Sequence, residues 1–278
     1  MGTDVTSHSH DTQTHSLSGQ MAGWVSSMTL VLISLLGLGA FLVPFIAPNG
    51  DTPTSAHASD APLLFFLLIA LSLFLIFTEL ETRRLNAKII AALGALTAVN
   101  AALRLIPGPL GFSAVFVLPI LAGYAYGAEF GFLLGSLSMF VSGIVTGGLG
   151  PWLPFQMLAA GWAGLLAGWL PDLRRLRRAE TLVLASFGFA WGILFGFIMN
   201  LWFWPYLAPG SGAGLAWEAG LGLWRGVQRY AAFYVVTSLW WDLGRAGGNA
   251  VLLFMFSAPL LRLLRRFGRR FRFSHRSA

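Results

Sequence analysis

The sequence predicts an all-α fold, a polytopic membrane helical bundle of about eight transmembrane helices. Three observations predict it. Only 10% of the 278 residues are charged while 56% are hydrophobic, against about 25% charged in a soluble globular domain. Mean hydropathy is +0.71. The apolar residues also gather in runs close to the ~20 residues that cross a bilayer as a helix, separated by short loops bearing Pro, Gly or Arg. This composition excludes an ordinary cytosolic domain and a disordered chain. The absence of cysteine excludes a disulfide scaffold, thiolate metal sites and thiol nucleophiles.

Residues 1–20 are polar and hold neither Lys nor Arg, so they read as a disordered tail and not as a secretory signal. His8, His10 and His15 lie there without further ligands, and no metal or cofactor is expected. The first apolar run covers 21–46 and ends in a polar loop holding Pro48 and Pro53. The following runs cover 63–78, 87–106, 112–126, 130–146, 152–170 and 182–204. The last, 226–264, is too long for one crossing. Its 32 residues from Tyr230 to Leu261 make about 48 Å of helix, against a hydrocarbon core of about 30 Å. It is one broken helix or two pieces, with the break expected at Gly244, Gly247 and Gly248, and counts as one span with an outer extension. The expected organisation is therefore a tail at 1–20, two N-terminal transmembrane helices within 21–82, a six-helix unit over 83–268 and a basic tail at 269–278.

The formal charge of +7 invites a nucleic-acid partner, and the placement of the charge removes that reading. Fourteen of the 18 basic residues fall in three clusters: Arg83, Arg84 and Lys88; Arg174, Arg175, Arg177 and Arg178; and Arg262, Arg265, Arg266, Arg269, Arg270, Arg272 and Arg276. With eight spans all three lie on one side, which the positive-inside rule makes cytoplasmic. Both termini are then cytoplasmic in a multi-pass protein of a bacterial or archaeal cell (plasma) membrane. No nucleic acid is expected, and the arginine-rich ends contact anionic lipid headgroups.

Small residues recur every four positions at Gly123, Gly127, Gly131 and Gly135, and in the pairs Gly143/Gly147, Gly164/Gly168, Gly192/Gly196 and Gly244/Gly248. Such spacing lets helix backbones approach closely in lipid, and packing within the bundle is the expectation for most of them. Ala87, Ala91 and Ala95 form a separate ladder on the third span. That smooth face either docks a partner helix or packs inside the bundle.

Polar side chains at membrane depth are costly and mark cavities or partners. They are Asn100 and Arg104 on one face of the third span, Gln156 one turn into the sixth, and Asn200 near the end of the seventh. Arg225, Gln228 and Arg229 open the last segment, and Asp242, Arg245 and Asn249 lie within it. Asp242 and Arg245 are three apart, so they pair with each other or face a ligand. On the same side lie Trp152, Phe155, Trp202, Trp204, Tyr206, Trp217, Trp224 and Tyr230, which form an interfacial belt or the wall of a site for a flat ligand. The chain has no GxxxxGK[ST], HExxH or GxSxG, the patterns of phosphate-binding loops, zinc hydrolases and serine hydrolases, and no enzyme activity is expected.

The order of these features is specific. The run GFLLGSLSMFVSGIVTGGLGPWLPFQMLAAGWAGLLAGWLP at 131–171, the later WDLGRAGGNA at 241–250 with its Arg-rich tail, and the alanine ladder together resemble the substrate-binding S component of energy-coupling factor (ECF) vitamin transporters. The resemblance covers about two thirds of the chain. It implies a six-helix core that binds a vitamin-type small molecule from outside. It also implies delivery through a transmembrane coupling subunit and two ATPase subunits, with ATP hydrolysed by those partners. Ala87, Ala91 and Ala95 are then the coupling-subunit contact. Depth and residue type nominate Asn100, Arg104, Trp152, Gln156, Asn200, Trp204, Arg229, Tyr230, Asp242 and Asn249 for the substrate. A Trp-rich side with few acids suits a flat, neutral-to-anionic molecule of cobalamin, flavin or folate type, with a cobalamin-type substrate as the forced choice. The two spans before residue 83 are an addition to the family pattern. A self-contained secondary transporter, the main alternative, needs coupling-ion ligands and usually internal repeats, and neither is evident. A non-transporting membrane scaffold is the other.

Overall fold

The computed structural model describes residues 6–46, 56–81, 87–106, 108–109, 112–207 and 214–271. These residues form helices α1 (Thr6–Ile46), α2 (Ala61–Glu81), α3 (Ala87–Leu105), α4 (Val117–Tyr126), α5 (Ala128–Thr146), α6 (Leu153–Ala167), α7 (Arg177–Phe203), α8 (Leu223–Thr237) and α9 (Leu239–Phe271), and no strand occurs among them. Single 3-10 turns precede α4 at Ala114–Phe116 and follow α7 at Trp204–Tyr206. Among the described residues, six helices are long and apolar enough to cross a membrane, and 114–126 and 153–168 are shorter apolar helices. The protein is an all-α, multi-pass bundle, and these eight elements coincide with the eight apolar runs.

Two details differ from the expectation. Helix α1 starts at Thr6, inside the stretch expected as a disordered tail. Residues 6–18 contain neither Gly nor Pro, so a helix already nucleated in the apolar run propagates back through them at little cost per residue. The break in the last segment lies at Ser238 and not at the glycines, which sit inside the continuous α9. The Thr237 hydroxyl donates to the Phe233 carbonyl at 2.7 Å, a back-bond that bends helices, and Ser238 then leaves helical geometry at φ −126°. Gly248 instead admits the Phe112 ring, which would stand 2.3 Å from a Cβ there.

The core is a backbone seam between α5 and its neighbours. A Cβ on Gly131 would come within 2.5 Å of the Gly164 carbonyl oxygen, one on Gly164 within 2.1 Å of the Gly131 oxygen, and one on Gly135 within 2.1 Å of the Ala160 oxygen. The glycine repeat therefore packs the bundle internally, as small-residue spacing does in lipid. Around the seam, Phe132, Leu134, Phe155, Leu158 and Ile120 are fully or almost fully buried. Helix α5 ends on Gly147 at φ +65°, with the Gly148 N–H bonded to the Gly143 carbonyl at 2.9 Å, the pattern of a left-handed C-terminal cap.

The two ends of the bundle differ in charge. At one end the Tyr126 hydroxyl donates to the Leu264 carbonyl at 2.6 Å, and Arg265 pairs with the buried Glu180, its Nη1 3.3 Å from Oε2. The clusters at 174–178 and 262–266 meet there, so this is the basic end. Arg83, Arg84, Arg272 and Arg276 lie outside the described residues. At the opposite, arginine-poor end lie the finish of α3, α5 and α7, the start of α6, and α8. Helix α3 is the least embedded span, with 22% of its residues buried against 67% for α5.

Candidate functional site

Nine of the ten nominated residues form three groups toward the arginine-poor end and not one ring around a single cavity, and Trp152 belongs to none of them. The first group joins α3, α5 and α6. Arg104, in the last turn of α3, donates through Nη1 to the Ser142 hydroxyl at 2.7 Å and through Nη2 to the Gln156 amide oxygen at 2.9 Å. Gln156 is presented by the start of α6, where the Gly150–Leu153 turn closes at 2.9 Å and Pro154 stands in the first helical turn, a position that needs no N–H donor. One turn below Arg104, Asn100 is fully buried and donates to the Val115 carbonyl at 2.9 Å. Its amide oxygen has no hydrogen-bond partner among the described residues. No ion pair among the described residues involves Arg104. The guanidinium therefore keeps donors in reserve beside amide oxygens, which matches a carbonyl or anionic group on a ligand.

The second group closes the end of α7. Asn200 donates to the Gly196 carbonyl at 2.8 Å and to the Ser238 hydroxyl at 2.6 Å, which ties α7 to the α8–α9 break. The buried Trp204 donates to the Leu215 carbonyl at 2.8 Å and packs on Tyr230, ring centroids 4.9 Å apart. The Tyr230 hydroxyl donates to the Phe197 carbonyl. Arg229 donates to the Ala216 carbonyl at 3.2 Å and pairs with Glu218 at 2.9 Å. These residues are already engaged with one another, and they read as a wall.

The third group lies in the α7–α9 seam. Asp242 pairs with Arg245, as their spacing suggested, and its carboxylate fills the space where Gly196 has no side chain. The Arg245 guanidinium lies 5.2 Å over the Phe195 ring, which meets Phe116 at 4.7 Å. Asn249 is fully buried and donates to the Gly188 carbonyl at 3.3 Å, and its amide oxygen also lacks a partner among the described residues. Two buried, unanswered amide oxygens are a cost that a ligand N–H or O–H would remove. Trp152 stands apart. It is 40% exposed and its indole folds over Gly150.

Residue type and depth did not reveal Ser142, Ser238 or Glu218, which orient the nominated side chains. Nor did they reveal His57, which is fully buried although it precedes α2 in a polar loop. The Ser136/Ser138/Ser142 series on α5 was the available signal for the first of these. A separate apolar groove of about 570 Å³ runs between the start of α2 and the α5–α6 turn, past Phe65, Phe66, Phe140, Ile144 and Pro151. None of the ten nominated residues lines it, and it offers no charged group.

The alanine ladder is open at its described positions. Ala91 and Ala95 are exposed, as are Ala98 and Ala102 on the continuing face, and a Cβ on Gly94 would meet nothing within 4 Å. Ala87 opens α3, and its side chain lies outside the described residues. Among the described residues no group of three or more His, Asp and Glu is placed to hold a metal ion.

Comparison with known proteins gives one result. The family model for the substrate-specific component of ECF transporters matches residues 88–257. No curated protein matches, and no solved structure does. The match covers more than half of the chain and spans α3 to most of α9, the helices that carry all three groups and the alanine face. The chain belongs to the family of substrate-specific components of ECF transporters.

Proposed function

We propose that this subunit captures a vitamin or related micronutrient at its arginine-poor end and delivers it through a coupling protein and two ATPase subunits. The basic end is cytoplasmic in this reading, in line with the positive-inside rule, and both termini lie on that side. Capture is carried by one observation. Arg104 is held between Ser142 and Gln156 without a carboxylate partner among the described residues, one turn above the unanswered oxygen of Asn100. The Trp204–Tyr230 wall and the seam residues Asp242 and Asn249 bound the same end, which suits a flat, neutral-to-anionic substrate of the cobalamin, flavin or folate type.

The exposed Ala91/Ala95 face supports docking of the coupling subunit, because small side chains allow the close helix approach that replaces the hydrophobic effect in lipid. Co-expression with a coupling subunit and its ATPase pair tests this. The wild-type chain is expected to co-purify with all three, and an Ala91→Trp/Ala95→Trp variant is expected to stay monodisperse but lose them. Uptake that persists in cells lacking those subunits would overturn the reading in favour of a self-contained transporter.

A further inference from the structure

The two helices before the family-matched segment dock on the end read as the capture site, and they do so through aromatic side chains. Phe41 of α1 meets Phe155 of α6 at 4.8 Å, and Phe45 meets Trp204 at 5.8 Å and Trp217 at 5.7 Å. The turn before α2 then places His57 between α6 and α7. Its ring is 4.5 Å from Phe155, stacks on Trp202 at 5.5 Å and 20°, and meets the edge of Tyr206 at 4.9 Å.

Both ring nitrogens are engaged. Nδ1 lies 2.7 Å from the Asp60 carboxylate and Nε2 lies 3.2 Å from the Trp202 carbonyl, 145 residues away in sequence. The carbonyl can only accept, so Nε2 donates to it. His57 is also the one non-glycine residue with positive φ among the described residues, at +56°. That conformation is uncommon for such a residue, and strained backbone persists only where its surroundings over-determine it.

We propose that the α1–α2 hairpin is a clamp on the capture end and that His57 is its positioning residue, keying the end of α7 to the start of α6. Through Trp202 it fixes the backbone between Asn200 and Trp204. Through Phe155 it fixes the backbone beside Gln156. The separation of the first and second groups is thus set by a residue outside the family-matched segment. The importance of that separation rests on the reading of this end as the capture site, whereas the clamp itself is measurable without substrate.

The absence of cysteine makes a two-label experiment clean. Leu149→Cys and Leu223→Cys, at exposed positions on the two sides of the end, carry spin labels in nanodiscs for pulsed dipolar distance measurement. The His57 background is expected to give one narrow distance distribution. His57→Gly removes the ring at a positive φ that glycine adopts without strain, so the turn geometry stays accessible, and it is expected to at least double the width. His57→Gln, whose Nε2 reaches toward the Trp202 carbonyl, is expected to narrow it again. An unchanged width in a monodisperse His57→Gly protein would overturn the clamp. A doubled width with transport unchanged would instead leave the clamp standing and count against the capture reading alone.

Discussion

Gly164→Ala tests whether the α5–α6 seam holds the bundle together. The added Cβ would stand 2.1 Å from the Gly131 carbonyl oxygen, 2.3 Å from its carbonyl carbon and 2.7 Å from its Cα. All three are backbone atoms, so no rotamer change relieves the overlap. Ordinary contact begins at 3.4 Å, and the helices must part locally by about 1.3 Å, the gap between 3.4 and 2.1 Å. A gap of 0.5–1 Å already forfeits about a quarter to a half of each dispersion contact, and lipid gives the separated faces no hydrophobic drive to reclose. Overpacked cores lose about 1–3 kcal/mol, and a backbone clash belongs at the upper end, about 3 kcal/mol. Gly94→Ala is the matched control. Its Cβ meets nothing within 4 Å, and Gly to Ala inside a helix gains about 0.5–1 kcal/mol. Unfolding by sodium dodecyl sulfate in mixed micelles measures both. A Gly164→Ala protein within about 0.5 kcal/mol of wild type, the ordinary range for surface substitutions, would mean that the seam does not hold the bundle together.

Other perturbations separate the remaining contacts. Glu180→Gln leaves Arg265 without its carboxylate at the basic end; breaking a buried pair costs about 3–5 kcal/mol, and the partial exposure of Arg265 brings the expected loss to about 1–3 kcal/mol, with a Glu180→Gln/Arg265→Gln double-mutant cycle as the measurement. Tyr230→Phe removes the hydroxyl that binds the Phe197 carbonyl while leaving the ring on Trp204, so a loss of about 0.5–1.5 kcal/mol is expected in the same titration. Gly147→Ala, at φ +65° with open space around it, isolates backbone strain and is expected to cost about 1–2 kcal/mol, with Gly147→Asn costing less. Arg104→Met strands the Gln156 amide oxygen. Hydrogen bonds to charged groups contribute about 1.5–3 kcal/mol, so a stability loss of about 1–3 kcal/mol is expected in the same titration, together with at least a tenfold loss of substrate affinity read by equilibrium binding to the purified protein.

The order of the helices was legible because each span had to carry its own apolar run, and the arginine clusters marked alternate loops. The Gly131/Gly164 contact was foreshadowed by spacing, since only glycine at four-residue intervals permits such an approach. The break at Ser238 was hidden because Thr237 and Ser238 acts by local hydrogen bonding, whereas three glycines nearby advertised flexibility that the Phe112 ring fills. The grouping of site residues was hidden for a different reason. Spacing along α3 places Asn100 and Arg104 on one face, but only the packing of α5 and α6 decides that Ser142 and Gln156 receive that face. His57 was illegible in principle, because its burial depends on Trp202, 145 residues distant.

The seam has a mechanical consequence. Helices that touch through their backbones cannot slide past each other without losing the contact along its whole length, so α5 and α6 move as one stiff plate. Any change of shape on loading is then confined to the elements bolted to that plate at their ends. Helix α3, with most of its surface free, and α8, anchored by Tyr230 and Phe233, are the parts with room to give.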